Sequence, residues 1–198
     1  VLCPLTTADT VSETAMTLAY RLKPQRLLRL CIVASLVASH ALLAACGARQ
    51  HERTRVELAP PEPPSSTRPG TTALGLGSTL FINRGFEWRD GLLHVPSSYD
   101  AAEPAPLLLW LHGGGGRAQD ARRLFPMADR FGVVVLAPDS RHNTWDGIDS
   151  PFGPDVRFIE GALAFTTGKV AVDREKIALG GVSDGGSYAL ALGRSNGQ

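Results

Sequence analysis

The folded part of this chain has no thiol. Its three cysteines, Cys3, Cys31 and Cys46, all precede the proline-rich stretch that begins at Pro60. Everything after that stretch is therefore without a disulfide, a cysteine nucleophile or a cysteine-ligated zinc. A surplus of charge is missing too. Twenty Lys and Arg stand against nineteen Asp and Glu, a formal net charge of +1. Nucleic-acid binders carry a basic surplus on one face, so no nucleic-acid partner is expected. Long apolar runs are also lacking. A membrane span needs about 20 residues, whereas the run from Leu30 to Ala45 has 16, interrupted by Ser35, Ser39 and His40. With 43% hydrophobic and 20% charged among 198 residues, the chain is neither wholly disordered nor collagen-like.

What is present is unevenly distributed. Arg21, Lys23, Arg26 and Arg29 form a basic patch without an acid, and the short apolar run follows directly. A charged head, an apolar body and small residues at the end describe an export signal. The end reads Leu43-Ala44-Ala45-Cys46-Gly47, which resembles a bacterial lipobox. The resemblance implies lipidation of Cys46 and anchoring of an exported protein to a cell-envelope membrane, because each buried CH₂ of an acyl chain contributes about 0.8 kcal/mol. An ordinary signal peptide or a buried helix is the other reading. Met16 stands just before the basic patch. Translation beginning there and a genuine upstream extension are both open.

Three regions follow from composition: 1–46 as extension and signal, 47–77 as tether, and 78–198 as the folded domain. Pro60, Pro61, Pro63, Pro64 and Pro69 crowd the middle region with Ser65, Ser66 and Thr67. Such a segment cannot bury a core and favours an extended spacer.

The last region alternates strand and helix. Arg89-Asp90-Gly91 lies between short runs within 86–95 and predicts a hairpin. Pro106 to Leu111 is a continuous apolar run, as in a strand covered on both faces. Ala121, Leu124, Phe125, Ala128 and Phe131 recur at helical spacing and predict a helix over 118–131, stopped by Gly132. Val133 to Ala137 predicts a second buried strand. Pro154 opens a helix striped by Val156, Ile159, Leu163 and Val170. Ile177 to Leu179 predicts a third strand, and the last helix runs over about 185–194. Alternation of this kind predicts a mainly parallel sheet with helices on both sides.

Two motifs carry chemistry. Gly181-Val182-Ser183-Asp184-Gly185 lies between a predicted strand and a predicted helix, the context of a nucleophile elbow. A tight turn lifts Ser183 into a strained conformation, and the flanking glycines leave room for neighbouring backbone. A helix-capping serine in a glycine-rich turn would have the same sequence. The second motif, His112-Gly113-Gly114-Gly115-Gly116, ends the first central strand. An oxyanion hole needs two donors about 3 Å from the developing charge. Candidates are the amide of Asp184, just after the nucleophile, and that of Gly114. A flexible connector is the plainer reading of the glycines.

Together these motifs resemble the α/β-hydrolase fold. Leu109-Trp110-Leu111-His112-Gly113 and the run from Gly181 to Leu190 look like its phospholipase/carboxylesterase branch. They are also similar to secreted esterases of the polyhydroxybutyrate-depolymerase and feruloyl-esterase type. The resemblance covers roughly 88–198. It implies serine-dependent hydrolysis of carboxylic esters, small-molecule, lipid or polyester, without metal or organic cofactor. It also implies that His112 and Gly113 shape the oxyanion loop.

The chain departs from that pattern after Ser183. The fold's triad order is Ser, then Asp or Glu, then His. The fifteen residues that follow contain Asp184 as their one acid and no histidine. Asp184 is too close to the nucleophile to orient a distant imidazole. His112 and His142 are the substitutes to consider. The expectation is the N-terminal part of a longer esterase, without the C-terminal strands and inactive as a fragment. A serine hydroxyl without a base is a poor nucleophile.

Trp145 and Asp146, in the loop after the second strand, are candidates to line a substrate site; loop packing and turn hydrogen bonds are the alternative. Trp88 and Trp110 are expected in the core. Two further functional readings remain. Gly113-x-Gly115-x-x-Ala118, with Asp139 ending the next strand, has the spacing of a dinucleotide-binding fingerprint. A catalytically dead, surface-binding lipoprotein would fit the missing base.

Overall fold

The computed structural model describes residues 55–56, 67–148 and 150–196. The signal segment, Cys46 and Pro60 to Pro64 lie outside the described residues. The chain divides into two units, Val1–Ala48 and Arg49–Gln198, and the second carries every described element.

Among the described residues, seven strands and three α-helices follow in order. They are β1 (Gly70–Ala73), β2 (Ser78–Ile82), β3 (Gly85–Arg89), β4 (Gly91–Val95), β5 (Ala105–Leu111), a 3₁₀ helix (Ala118–Leu124), α1 (Phe125–Phe131), β6 (Val134–Pro138), α2 (Pro154–Thr167), β7 (Val172–Gly181) and α3 (Asp184–Asn196). Five strands form one sheet in the order β1-β4-β6-β5-β7, and β2 and β3 form a separate antiparallel pair. The sheet is mixed: β5 runs parallel to β6 and β7, while β4 is antiparallel to both β1 and β6. Four of its five strands run in one direction, as the expected mainly parallel sheet requires, and β4 alone is reversed. β4 enters from the N-terminal side without a crossover helix, so nothing forces it parallel.

Strand alternation divides the core between the faces. Leu107, Leu109 and Leu111 of β5 point to one side, where Val156, Ile159 and Leu163 of α2 and Tyr188 and Leu192 of α3 close over them. Leu108 and Trp110 point to the other, against Ala118, Ala121, Phe125 and Ala128. Burial of each large aliphatic side chain stabilises by roughly 1.5–3 kcal/mol. The second face is covered less fully: Leu108 and Trp110 are only partly buried.

Several expectations shift. The 118–131 helix is split, because its first half winds as 3₁₀ under local caps: Asp120 accepts from the Arg117 amide at 3.0 Å, and Asp139 from the Ala118 amide at 2.6 Å. Gly132 ends α1 at φ +67. The third strand is far longer than three residues and stands at the sheet edge. β3 and β4 do not pair with each other. Asp90 instead turns the chain from one sheet into the other, its carboxylate accepting from the amides of Gly75 and Leu76 at 2.9 and 3.1 Å. The spacer assigned to 47–77 also reaches too far. β1 lies within it, paired with β4, and Leu74 is core.

Candidate active site

β5, β6 and β7 all run toward one edge of the sheet, and the loops leaving them meet there. In open α/β sheets this is the edge that binds ligands.

Only Val182 and Ser183 separate β7 from α3. Ser183 sits at φ +51, in the left-handed region. That conformation costs a non-glycine residue on the order of 1 kcal/mol or more, and persists only where the surroundings impose it. The surroundings do so here. A Cβ on Gly181 would lie 2.5 Å from the carbonyl carbon of Gly185. One on Gly185 would collide with the backbone carbonyls of Leu111 and His112. The turn is tied to β5 by the Val182 amide, which donates to the Leu111 carbonyl at 3.2 Å. Ser183 is exposed at the start of α3, and its carbonyl accepts from the amides of Gly186 and Ser187.

The glycine run lies against this turn. A Cβ on Gly113 would be 3.5 Å from the Ser183 Cβ. One on Gly114 would be 2.6 Å from Oδ2 of Asp184, which also accepts from the Thr144 hydroxyl at 2.6 Å. Gly115, at φ +71, donates its amide to the Asn143 carbonyl at 2.7 Å, and Gly116 donates to Gly113 at 2.9 Å. Among the described residues nothing accepts from the amides of Gly114 or Asp184. The loop thus spends the amides of Gly115 and Gly116, while among the described residues those of Gly113 and Gly114, beside the elbow, are left unspent.

His112 is buried beneath the loop. Its Nε2 accepts from the Ser140 amide at 3.0 Å, so the proton sits on Nδ1, which donates to the Gly113 carbonyl at 2.7 Å. Burial holds the imidazole below the usual histidine range, against the pull of the Gly113 carbonyl and Asp139. With both nitrogens engaged and the ring neutral, His112 shapes the loop and has no lone pair left for Ser183. His142 is exposed on the loop after β6. Among the described residues no imidazole hydrogen-bonds the Ser183 hydroxyl.

The expectation for Trp145 and Asp146 as site-lining residues is corrected. Trp145 is fully buried, stacked near Tyr188, with its indole N–H on the His112 carbonyl at 2.7 Å. Asp146 is buried and accepts from the amides of Gly153 and Asp155 and from the Tyr188 hydroxyl, the last at 2.6 Å. Trp145 braces the carbonyl side of the glycine loop, and Asp146 ties the start of α2 to Tyr188 of α3. Asp139 is committed likewise. One oxygen accepts from Ala118 and the other from the Asp90 amide at 3.0 Å, and the carboxylate is buried, which counts against its reaching a ribose as the dinucleotide fingerprint would need. Trp88, expected in the core, is 58% exposed.

Other supporting residues carried no signal in sequence. Asp155 is fully buried and accepts from the amides of Arg141 and Asp146. Burial pushes its carboxyl up to about 6, although those two amides pull it down. Arg141 lies 3.6 Å over the Phe158 ring and donates to the carbonyls of Arg89 and Asp139. No periodicity or spacing marks such contacts, because they join residues of separate loops.

No family model matches the chain. Two curated relatives do. The probable feruloyl esterase C of Aspergillus oryzae is 28% identical over 117 residues, which are 54% of this chain and 42% of the relative. That of Aspergillus flavus is 27% identical over the same shares. The chain thus spans less than half the length of these relatives. Among solved structures, an ester hydrolase from the metagenome of Lake Arreo is 20% identical with a TM-score of 0.43, over 88% of this chain and 55% of that one. A ferulic acid esterase of Anaeromyces mucronatus is 16% identical with a TM-score of 0.37, over 70% and 60%. In sequence the matched part of the chain is similar to these two esterases, and its elbow and glycine loop lie together at one sheet edge.

Proposed function

We propose that this chain carries the nucleophile and oxyanion half of a serine carboxylic-ester hydrolase. Ser183 attacks the ester carbonyl, and the amides of Asp184 and Gly114 stabilise the tetrahedral oxyanion. Loss of one such donor typically costs about 3–4 kcal/mol in the transition state. Collapse of the intermediate expels the alcohol and leaves an acyl-enzyme, which water hydrolyses. The observation that supports this reading is the exposed Ser183 at φ +51 with Gly113 against it.

The proton of Ser183 needs a base, and neither His112 nor a described partner supplies one. The reading therefore assigns base and orienting carboxylate to residues outside this chain, and the 198-residue chain alone is inactive. Cys46 is lipidated in this reading and holds the enzyme at an envelope membrane. A fluorophosphonate should label the full-length protein at Ser183. A short p-nitrophenyl ester should be turned over, with loss in Ser183→Ala. Labelling elsewhere, or turnover unchanged in that variant, defeats the proposal. Incorporation of an acyl probe that survives Cys46→Ser defeats the anchor. The second reading, a binding lipoprotein without catalysis, is favoured by the unpartnered Ser183 hydroxyl. It requires that the full-length protein turn over no ester.

A further inference from the structure

The loop that follows β6 touches both halves of the oxyanion site. Three consecutive residues of it, Asn143, Thr144 and Trp145, each spend one polar group there. The Asn143 carbonyl accepts from the Gly115 amide at 2.7 Å, and the Trp145 indole donates to the His112 carbonyl at 2.7 Å. Both of these bonds go to the segment that carries the glycines. Thr144 alone of the three reaches the elbow, where its hydroxyl donates to Oδ2 of Asp184 at 2.6 Å. Thr144 is buried and Asp184 half-buried.

This contact sets a carboxylate next to an unspent amide. A Cβ on Gly114 would lie 2.6 Å from the same Oδ2 and 3.9 Å from the Thr144 hydroxyl oxygen. Covalent geometry then puts Oδ2 within about 5 Å of the Gly114 nitrogen. The Gly114 amide nevertheless does not donate to it. Among the described residues no cation pairs with Asp184. A half-buried carboxylate seeks donors, because a bond with one ionised partner is about twice as strong as a neutral one. Asp184 is therefore a competitor of the substrate oxygen for the Gly114 amide. The Thr144 hydroxyl is the donor that engages it instead.

We propose that Thr144 is a positioning residue of the oxyanion site: its hydroxyl holds the Asp184 carboxylate off the Gly114 amide and so keeps that amide free for the substrate. The inference rests on the hydrolase reading. Valine at 144 matches threonine in shape but lacks the hydroxyl. Oδ2 then loses its partner, and the unspent donor within reach is the Gly114 amide. Captured there, the carboxylate blocks one of the two oxyanion donors and brings its charge against the developing oxyanion. The loss falls on the transition state and not on ground-state binding, so it appears in kcat.

The test joins turnover of a short p-nitrophenyl ester to ¹H–¹⁵N spectra of the glycine amides, both on the full-length protein. Thr144→Val should lower kcat by roughly 10- to 100-fold, somewhat less than outright loss of a donor, with KM within about twofold of the parent. Thr144→Ser should restore most of kcat. Thr144→Ala should behave like Thr144→Val, so a packing failure of one variant leaves the other to decide. Against an Asp184→Ala background, Thr144→Val should cause no further fall. The Gly114 amide proton should move downfield in Thr144→Val as it gains an acceptor. No such shift should occur in Thr144→Ser, nor between Asp184→Ala and Thr144→Val/Asp184→Ala. An active parent whose Thr144→Val and Thr144→Ala variants keep kcat within about twofold, or whose Gly114 resonance stays in place, overturns the positioning role and leaves the hydrolase reading standing. Equal falls in Thr144→Val and Thr144→Ser do the same. A parent that turns over no ester overturns both.

Discussion

Removal of the Asp139 carboxylate should loosen the scaffold under the glycine loop, and the structure sets the size. Asp139 is buried, and its two oxygens accept from the amides of Ala118 and Asp90 at 2.6 and 3.0 Å. One bond caps the 3₁₀ helix that leaves the loop; the other pins the bend between the two sheets. Asp139→Ala strands both donors. A buried group left without its partner costs about 1–3 kcal/mol, so the loss of both should be about 2–6 kcal/mol. Asp139→Asn keeps one acceptor but turns its amide group toward the other N–H, so it should fall between alanine and the parent. Urea denaturation, with m unchanged, measures both. A nucleotide-binding role predicts a different pattern: the parent would gain stability from a dinucleotide, and the two variants would fold as well as the parent. The reasoning fails if Asp139→Ala unfolds within about 0.5 kcal/mol of the parent, the range of an ordinary surface change.

Four other outcomes follow from the same geometry. Asp155, near 6 in the folded protein against an ordinary 3.8, binds its proton more tightly when folded. Its contribution is therefore most favourable below about pH 4 and is lost as pH rises through about 6, a swing on the order of 3 kcal/mol. Denaturation between pH 4 and 7 should find that slope missing in Asp155→Asn, and an unchanged slope refutes it. At φ +51, Ser183→Gly should be more stable than Ser183→Ala by about 1 kcal/mol; equal melting curves would contradict the strain. Gly161 lies within α2 with open space around it, so Gly161→Ala should gain about 0.5–1 kcal/mol, checked by chemical denaturation. In contrast, Gly185→Ala should fail to fold or lose several kcal/mol, because the new methyl meets two backbone carbonyls. A soluble Gly185→Ala with native-like spectra and stability would count against the elbow's packing.

Local chemistry was legible in the residues before any fold was known. Glycines flank Ser183 because the turn has no space for side chains, and a glycine run can spend some amides and leave others free. β5 and β6 announce themselves as apolar runs because central strands are covered on both faces. The family likeness rests on the same short segments. Other features depended on partners distant in sequence. Trp88, Trp110 and Trp145 have the same composition value, yet one lies on the surface, one is partly buried and one is sealed beneath the glycine loop. Asp139 and Asp146 were indistinguishable as loop acids, and Asp155 stands only as an acid at the start of α2. Tertiary structure made each an acceptor for backbone amides brought from other segments, and so took Asp139 and Asp146 out of ligand chemistry. β1 was hidden in a proline-rich stretch because a four-residue strand has little pattern of its own; pairing with β4 makes it a strand. Sequence determines what a turn permits. The assembled sheet decides which polar groups are already satisfied, and only those left over can meet a substrate.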